Sequence, residues 1–281
     1  MKARAYGKIN LTLEVIGKSS GGYHEIKSVF QRVSIYDEVE LRKSSREKIE
    51  FSNNIGSDFT TVHKALKLFF QTLQRYEKIM VVVKKNIPVG SGLGGGSSDA
   101  AVTLNLLNSL FDKPLSEKDL FNIAKEIGSD VPFFLNSSTA IVEGRGDVVH
   151  PLQSLKGIYF LLVFPEFRVS TGEAYTELDK LGRFSKGTYT ERVSQAIERG
   201  KNYQFIKQYL YNEFEVLYRL KDKRFIEFFE KIESAAHLCF HITGSGSSIF
   251  VISDNVEFLK SKQKIIEIEN PGLKTLIVET I

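Results

Sequence analysis

The sequence predicts an α+β fold, in which strand-rich and helix-rich stretches follow one another without strict β-α-β alternation. Its first fifty residues are mostly alternating apolar and polar positions, a pattern typical of half-buried strands. Helical spacing of apolar residues begins only after them, and both patterns recur in the second half of the chain. With 281 residues, of which 42% are hydrophobic, the chain is long enough for one large domain or two closely packed ones.

The first predicted element is a long strand, because apolar and polar residues alternate over positions 3–15. It is broken at Gly17 and again by the small and polar residues at 19–22, which predict a turn. Further strands of the first half are expected at 26–35, 37–42, 48–51 and 79–83.

Three helices are predicted in the first half. One begins at Thr60, and a second follows a glycine-rich stretch and has apolar residues at 101, 104, 107 and 110. The third is expected over 116–127, because Ser116 and Asp119 have the spacing of a reciprocal capping pair.

The second half mixes strands and helices in the same irregular way. Strands are expected at 158–164, 237–242, 248–252 and 273–279. Helices are expected at 172–181, 191–198, 205–220, 224–235 and 256–266. The stretch 151–157 is the predicted domain boundary and divides the chain into residues 1–152 and 153–281.

Composition argues against several classes of function. The net charge of +4 comes from 38 basic and 34 acidic residues that are interleaved, which does not indicate nucleic-acid binding. Cys239 is the only cysteine, which excludes an internal disulfide and a thiol zinc cluster and fits a reducing cytoplasm. We expect Cys239 to be a small buried hydrophobe. The longest apolar run, 158–164, is too short to span a bilayer, so a cytoplasmic protein with no membrane partner is expected.

The glycine-rich stretch lies between the strand at 79–83 and a helix, and has five glycines among residues 90–96. Glycine accepts positive φ angles and lets another group approach the backbone, and the first turn of a helix offers unpaired N–H groups. This combination predicts a binding site for an anion, and phosphate is the expected ligand. The alternative is a plain connection in which Ser97, Ser98 or Asp99 caps the helix.

The sequence around the glycine-rich stretch does not fit either of two common nucleotide-binding motifs, the dinucleotide fingerprint and the P-loop. The spacing of Gly90, Gly92 and Gly95 matches the dinucleotide fingerprint, but a second helix follows where that fold needs a strand ending in an acidic residue. A P-loop needs a lysine at its end, and none occurs between Asn86 and Asp112. An NAD-dependent oxidoreductase therefore stays open only as a weaker alternative.

Three other features call for a functional explanation. Lys8 and Asn10 lie two residues apart on the first predicted strand, so their side chains point to one face. Asp130 stands between a turn and an apolar run, and residues 243–247 form a second loop of small residues. The three single residues have structural alternatives: Lys8 as a solvated strand lysine, Asn10 as an asparagine that satisfies nearby backbone, and Asp130 as an aspartate that braces a turn.

The motifs together carry a resemblance to a known group of enzymes. Residues 88–98 resemble the phosphate-binding signature of the galactokinase, homoserine kinase, mevalonate kinase and phosphomevalonate kinase (GHMP) superfamily, and residues 243–247 resemble its third motif. Within it, segments similar to the 4-diphosphocytidyl-2-C-methyl-D-erythritol kinases occur at 8–11, 22–24, 128–132 and 170–175. One departure is Tyr6-Gly7, where that family often has a proline or alanine pair, and Gly7 is expected to loosen the strand that carries Lys8.

The resemblance implies a two-domain GHMP-kinase-like fold with an ATP-binding and catalytic domain (1–152) and an α/β sandwich-like substrate domain (153–281). It also implies transfer of the γ-phosphoryl group of ATP to the 2-hydroxyl of 4-diphosphocytidyl-2-C-methyl-D-erythritol in non-mevalonate isoprenoid synthesis. Mg²⁺ is expected to be carried mainly by the phosphates and water, without a dedicated metal site in the protein. The implied partner is this cytidine diphosphate methylerythritol substrate, and the protein is expected to be a monomer or a weak homodimer.

The resemblance also implies a role for each motif residue. Lys8 and Asp130 are the implied catalytic pair, with Asp130 as the base. Tyr23 and Tyr175 are expected to sandwich the cytosine, and His24 to bind its polar edge. The other implied substrate-binding residues are Asn10, Thr171, Gly244 and Ser245. The implied ATP-binding residues are Pro88, Gly90, Ser91, Gly92, Leu93, Gly94, Gly95, Gly96, Ser97 and Ser98.

Alternatives to these roles stay open at this point. The aromatic residues are often core residues, His24 often braces a loop, and Thr171 often caps a helix. The alternative functions are a mevalonate- or homoserine-type kinase, the oxidoreductase, and a non-catalytic RNA-binding module.

Overall fold

A computed structural model describes residues 1–52, 60–200 and 203–281. Its strands are β1 (Lys2–Lys18), β2 (His24–Lys43), β3 (Lys48–Phe51), β4 (Ile79–Lys84), β5 (Thr139–Gly144), β6 (Val148–Pro151), β7 (Tyr159–Phe164), β8 (Tyr211–Asn212), β9 (His241–Ile242), β10 (Ile249–Ser253) and β11 (Lys274–Glu279). Its helices are α1 (Thr61–Thr72), α2 (Gly95–Leu110), α3 (Glu117–Ile127), α4 (Val131–Asn136), α5 (Thr171–Asp179), α6 (Thr188–Glu198), α7 (Tyr203–Lys207), α8 (Glu213–Lys221), α9 (Lys223–Ala236) and α10 (Val256–Glu269). The predicted α+β class is confirmed.

Two sheets organise the described residues. The first has seven strands in the order β3-β4-β2-β1-β8, with β5 on β2 and β6 on β5. The second has the order β11-β7-β10-β9. The longest pairing joins β1 and β2 antiparallel, from Lys2 opposite Glu40 to Lys18 opposite His24. This pair is the centre of the first sheet, so side chains on β1 are held on a rigid support.

Apolar side chains fill three layers around the sheets. One cluster packs β2 and β4 against α1, α2 and α4, with Phe69 and Phe133 fully buried. A second packs β7 and β10 against α8, α9 and α10. A third lies between the two sheets, where Ile9 and Leu11 of β1 join Phe160 of β7 and Phe250 of β10. The halves of the chain therefore share an apolar interface.

Several predicted elements are found at their expected places. The first strand is confirmed as β1, and the turn after it is also present. Thr60 directly precedes α1. The capping pair is confirmed at α3, because Ser116 Oγ accepts from the Asp119 N–H and the Asp119 side chain accepts from the Ser116 N–H.

Other expectations are corrected by the structure. The two strands expected at 26–35 and 37–42 are one continuous strand, β2. The helix expected over 205–220 is divided into α7 and α8. Between them, Tyr211 and Asn212 form β8, which pairs in parallel with β1. The strand expected over 237–242 is only β9, and Cys239 therefore lies in the turn after α9 and is exposed rather than buried.

The predicted boundary near residue 152 falls between β6 and β7, and β8 of the second half joins the sheet of the first. The division into residues 1–152 and 153–281 stays a prediction. None of the helices in the described ranges combines the length and apolar character that crossing a bilayer requires.

Candidate active site

A cavity of about 680 Å³ brings the predicted site residues together. They come from β1, the turn before β2, the glycine-rich loop, the start of α4, α5 and the loop between β9 and β10. The predicted residues that line it are Lys8, Asn10, Tyr23, His24, Pro88, Gly90, Ser91, Gly92, Leu93, Gly94, Gly95, Gly96, Ser97, Asp130, Thr171, Tyr175, Gly244 and Ser245. Ser98 is the exception: it is buried and does not belong to this lining.

The glycine-rich loop ends directly in the first turn of α2. Gly94 is the N-cap, with φ 70, and as a glycine it supplies no side-chain cap to the helix. The first four N–H groups of a helix have no partner within it. In α2 these groups belong to Gly94, Gly95, Gly96 and Ser97, and all four residues line the cavity. The alternative that Ser97, Ser98 or Asp99 is the cap or a first-turn residue of α2 is wrong for the cap, which is Gly94, and right for the first turn, which contains Ser97.

The two small-residue loops touch backbone to backbone. A Cβ atom added at Gly92, where φ is +78, would lie 2.2 Å from Thr243 O. One added at Gly244 would lie 2.9 Å from Gly92 O. Only residues without a side chain allow this approach.

Lys8 and Asp130 form an ion pair at the centre of the cavity. Lys8 Nζ lies 3.5 Å from Asp130 Oδ2, and the lysine is only 3% exposed. Burial lowers the pKa of Lys8, and the charge of Asp130 opposes that shift. The solvated-lysine alternative is therefore wrong. Asp130 precedes α4 but its side chain makes no capping hydrogen bond, so its carboxylate is available to the cavity.

Backbone contacts hold Lys8 in place. Its N–H donates to Leu93 O at 2.9 Å, which joins β1 to the glycine-rich loop. Gly7, at an irregularity of the β1–β2 pairing, lies where an added Cβ would be 3.2 Å from Ile35 Cγ2. Gly7 therefore packs closely against β2. Because β1 stays paired with β2 at Tyr6 and at Lys8, Gly7 does not interrupt the strand that carries Lys8.

Asn10 connects Lys8 to the second small-residue loop. Its Oδ1 accepts from Lys8 Nζ at 2.6 Å and from the Gly244 N–H at 2.8 Å. Its N–H donates to Thr243 Oγ1 at 3.1 Å, and Nδ2 donates to Ser28 Oγ at 3.0 Å. The alternative that Asn10 satisfies nearby backbone is confirmed, and a contact of Asn10 with substrate stays a prediction.

The predicted base-binding residues lie at one end of the cavity. The rings of His24 and Tyr175 stack with their centroids 4.3 Å apart. His24 Nε2 lies 2.7 Å from Asp179 Oδ1, and a hydrogen bond from Lys18 lowers the pKa of Asp179. Tyr23 is 58% exposed, and the Arg145 guanidinium lies 4.6 Å from the centre of its ring. The cytosine sandwich stays a prediction.

Thr171 and Ser245 both line the cavity and are hydrogen-bonded to each other, with their hydroxyl oxygens 2.7 Å apart. Thr171 does not cap α5, because the N-cap is Ser170, whose Oγ accepts from the Glu173 N–H. The capping alternative for Thr171 is therefore wrong.

Sequence reasoning missed other residues of the lining. Thr61 donates from Oγ1 to Gly96 O at 2.7 Å, and Lys85, Asp99 and Arg145 also line the cavity. Thr61 gives no local signal, since its partner is far along the chain. Asp99 follows the glycine-rich motif directly and Arg145 lies in a predicted turn, so the sequence contains a local signal from which either could have been proposed as a cavity residue.

The fold and the site together define a kinase of the GHMP class. Residues 60–138 match the family described as GHMP kinases N terminal domain. A solved mevalonate kinase superposes with a TM-score of 0.73 over 100% of this chain and 99% of that one, at 14% identity, which shows the shared fold. A solved 4-(cytidine 5'-diphospho)-2C-methyl-D-erythritol kinase gives a TM-score of 0.80 at 25% identity, over 100% and 99% of the two chains.

Sequence relatives narrow the class to one family. A protein of Thermosipho africanus is 39% identical over 89% of this chain and 90% of its own length. One of Clostridium acetobutylicum is 32% identical over 100% of both chains. Both are called 4-diphosphocytidyl-2-C-methyl-D-erythritol kinase, and the chain belongs to that family. It is an ATP-dependent small-molecule kinase, which favours the main prediction over the oxidoreductase and RNA-binding alternatives.

Proposed function

We propose that this enzyme phosphorylates the 2-hydroxyl of 4-diphosphocytidyl-2-C-methyl-D-erythritol with ATP, in non-mevalonate isoprenoid precursor synthesis. The observation that carries the proposal is the Lys8–Asp130 pair, which lies in the same cavity as the uncapped start of α2 and the rings of His24 and Tyr175. The names of its relatives supply the substrate.

The glycine-rich end of the cavity suits the triphosphate of ATP. The four N–H groups at the start of α2 and the positive end of the helix dipole attract phosphate oxygens. An added Cβ would meet Thr243 O at Gly92 and Phe134 at Gly94, so glycine at these positions lets the loop pack closely against the protein around the cavity. Beyond Gly96, the lining includes Phe51, Thr61 and Val62, and this partly apolar end is where we place the adenine.

Mg²⁺ fits this site as an ion held largely by the substrate. In the described part of the chain, no three acidic, histidine or cysteine side chains gather as a metal cluster. The Ser97 hydroxyl lines the cavity at the start of α2 and is the protein oxygen we assign to the ion. When bound, Mg²⁺ neutralises charge on the β- and γ-phosphates.

Asp130 is the residue we assign as general base. Its carboxylate takes the proton of the acceptor hydroxyl while that oxygen forms a bond to the γ-phosphorus. The bond from the γ-phosphorus to the bridging oxygen breaks, and ADP leaves with the electron pair. Lys8, held by Asn10 and Asp130, orients the acceptor oxygen and balances the charge on the transferred group.

The opposite end of the cavity suits the cytidine moiety. Tyr23 and Tyr175 supply flat aromatic faces for the base, and His24, oriented by Asp179, supplies a hydrogen-bonding edge. Thr171, Gly244 and Ser245 lie between this end and the catalytic pair and contact the linking part of the substrate in our proposal.

A substrate panel tests the proposal. We expect ADP to be released in the presence of 4-diphosphocytidyl-2-C-methyl-D-erythritol, and at background rates with mevalonate or homoserine. Equal turnover with mevalonate or homoserine would contradict the substrate and keep the class of enzyme. No ATP turnover with any acceptor would contradict the kinase itself.

The predicted monomer or weak homodimer and the cytoplasmic location stay parts of this proposal. A small-molecule kinase with its whole site on one chain needs no second subunit for chemistry. Sedimentation at several protein concentrations would measure the oligomeric state.

A further inference from the structure

Three basic side chains in the described part of the chain line the cavity, namely Lys8, Lys85 and Arg145. Lys8 is only 3% exposed, and its ammonium group pairs with the carboxylate of Asp130. Arg145 differs from Lys8 because it is exposed, and no step of the proposed chemistry uses it. The question is therefore which charge the guanidinium of Arg145 would meet in the cavity.

Lys85 is held by two carboxylates behind the glycine-rich loop. Its Nζ donates to Asp37 Oδ2 and, at 2.7 Å, to Asp99 Oδ2. Asp37 is fully buried and Asp99 is 1% exposed, so these contacts lie within the protein. The positive charges of Lys8 and Lys85 are thus already opposed by carboxylates of the chain itself.

The carboxylates nearest to Arg145 in the sequence pair with other cations. Glu143 lies 3.7 Å from Lys27 Nζ, and Asp147 lies 3.8 Å from Lys125 Nζ. From Arg145, Asp147 Oδ1 accepts the backbone N–H at 3.1 Å. Among the residues that the structure describes, no carboxylate forms an ion pair with the Arg145 guanidinium.

The guanidinium of Arg145 rests on the ring of Tyr23 instead. Its central carbon lies 4.6 Å from the centre of that ring. A guanidinium is attracted to the face of an aromatic ring without using an N–H donor on a hydrogen-bond acceptor. Arg145 therefore keeps the side-chain donors that bind phosphate oxygens in pairs.

The turn between β5 and β6 brings Arg145 to the cytidine end of the cavity. Gly144 is opposite Ile26 at the end of the antiparallel pairing of β2 and β5. Beyond this pair the chain after Gly144 runs toward the residues that precede Ile26, and Tyr23 is one of them. The contact between Arg145 and Tyr23 is thus fixed by the register of the sheet.

The same turn packs against the catalytic end. A Cβ atom added at Gly146 would lie 3.0 Å from Ser129 Cβ and 3.4 Å from Ser129 O. Ser129 directly precedes Asp130, and both residues line the cavity. Arg145 is therefore held next to the aromatic end and next to the residue before the proposed base. In the proposed substrate, the two parts that bind at these places are joined by a diphosphate.

We propose that the guanidinium of Arg145 binds the diphosphate that joins the cytidine and the acceptor alcohol of the substrate. The inference rests on the proposed function, because the diphosphate belongs to that substrate. Thr171 and Ser245, which we place beside this anion, supply only uncharged hydroxyl groups. Arg145 supplies the opposite charge, and it favours a diphosphate-linked alcohol over an alcohol that lacks the diphosphate.

Calorimetric titration with CDP and with cytidine tests this, because the two ligands share the base and the ribose and differ in the diphosphate. Saturating ADP keeps CDP out of the ATP end. For the wild type we expect CDP to bind more tightly than cytidine. Arg145→Gln removes the charge and should weaken CDP binding about tenfold or more, while cytidine binding changes by less than about twofold. Arg145→Lys keeps the charge without the paired donors and should lose less affinity for CDP than Arg145→Gln.

Arg192→Gln is the matched control. Arg192 is also exposed, and its guanidinium lies 5.1 Å from the centre of a tyrosine ring, that of Tyr209, but it lies outside the cavity. Both affinities of this variant should equal those of the wild type. Equal losses for CDP and cytidine in Arg145→Gln would show that Arg145 serves to support Tyr23, and an unchanged affinity for CDP would exclude a contact with the diphosphate. Either result overturns the inference.

Steady-state kinetics supply a second readout. Arg145→Gln should raise the KM for 4-diphosphocytidyl-2-C-methyl-D-erythritol about tenfold or more, with kcat and the KM for ATP within about twofold of the wild type. A rise in the KM for ATP alone would assign the guanidinium to ATP and contradict the inference. A wild type that binds neither CDP nor cytidine would contradict the proposed function, whereas one that binds CDP no more tightly than cytidine contradicts only this inference.

Discussion

The two small-residue loops of the site have similar composition but different chemistry. The glycine-rich loop, residues 88–98, leads into α2 and leaves the N–H groups of its first turn without a side-chain cap. The loop at 243–247 joins two antiparallel strands, and three of its N–H groups donate within the protein: Thr243 to Ser248 O, Gly244 to Asn10 Oδ1 and Gly246 to Thr243 O. The element at the end of a loop, a helix in one case and a returning strand in the other, decides whether the loop backbone is free to bind an anion.

The second loop instead supports the first. Asn10 holds Thr243 and Gly244, and these two residues lie directly against Gly92. In our proposal the first loop binds ATP and the second holds the first in position, so substitutions in the two loops should have different consequences.

The largest expected effect lies in neither loop. Asp130→Asn removes the carboxylate that we propose as the general base, so kcat should fall about 100- to 10,000-fold while ATP binding is retained. Turnover and ATP titration measure the two effects. Asp254→Asn, at an exposed position, is the charge-matched control and should behave as wild type. Near-wild-type turnover of Asp130→Asn would refute the assignment of the base.

Gly92→Ala should disturb both loops at once. The added Cβ would overlap Thr243 O, and φ at this position is positive. We expect a loss of about 2–4 kcal/mol in the free energy of unfolding and an increase of about tenfold or more in the KM for ATP. Gly157→Ala is a matched control, since φ there is +68 and nothing lies within 4 Å of an added Cβ. Its cost should be only about 1–2 kcal/mol, and equal losses in both variants would show that the contact with Thr243 is unimportant.

Asn10→Ala tests whether the contacts of Asn10 with the loop at 243–247 stabilise the folded site. It removes the acceptor for Lys8 and Gly244 and the donor to Ser28, all of which are buried. We expect a loss of about 2–3 kcal/mol in the free energy of unfolding and a lower kcat, because buried groups left without partners are costly. Asn105→Ala, which removes one long hydrogen bond to Leu135 O, is the control. A variant of Asn10 with unchanged stability would contradict the supporting role of the second loop.

The smallest expected effect belongs to Ser245→Ala. Its hydroxyl contacts Thr171 in an exposed position, so the free energy of unfolding should change by less than about 1 kcal/mol. The KM for the acceptor should rise a few-fold, and ATP binding should not change. A double-mutant cycle with Thr171→Val measures the coupling between the two hydroxyl groups. A change in ATP affinity would contradict the assignment of this loop to the acceptor end.

The parts of the fold that were predicted are those with local causes. The alternation of β1 and the Ser116–Asp119 cap depend on near neighbours. The break at β8 does not: Asn212 donates from Nδ2 to Ile242 O and Gly244 O, some 30 residues away, while the apolar spacing of a helix continues through it. Tertiary contacts overrode the local pattern there.

The candidate site divides in the same way. Motif residues could be named from the resemblance, and the cavity gathers all of them except Ser98. The group of Lys85, Asp37 and Asp99 could not be named, because its partners come from separate elements and a charged residue in a sequence gives no sign of burial. Asn10 was predicted at the site. That its side-chain oxygen already accepts hydrogen bonds from the protein could not be predicted, because one of the donors is the N–H of Gly244, 234 positions away.

That separation also bears on how the enzyme is made. β1 is synthesised well before residues 243 and 244, so Asn10 meets its partners only after Thr243 and Gly244 have been added. Contacts between distant parts of a chain form late and slowly in folding. A chain that stops before residue 243 therefore carries Lys8 and Asn10 without the loop that holds Asn10 in the folded protein, and the candidate site is completed only after that loop has been translated.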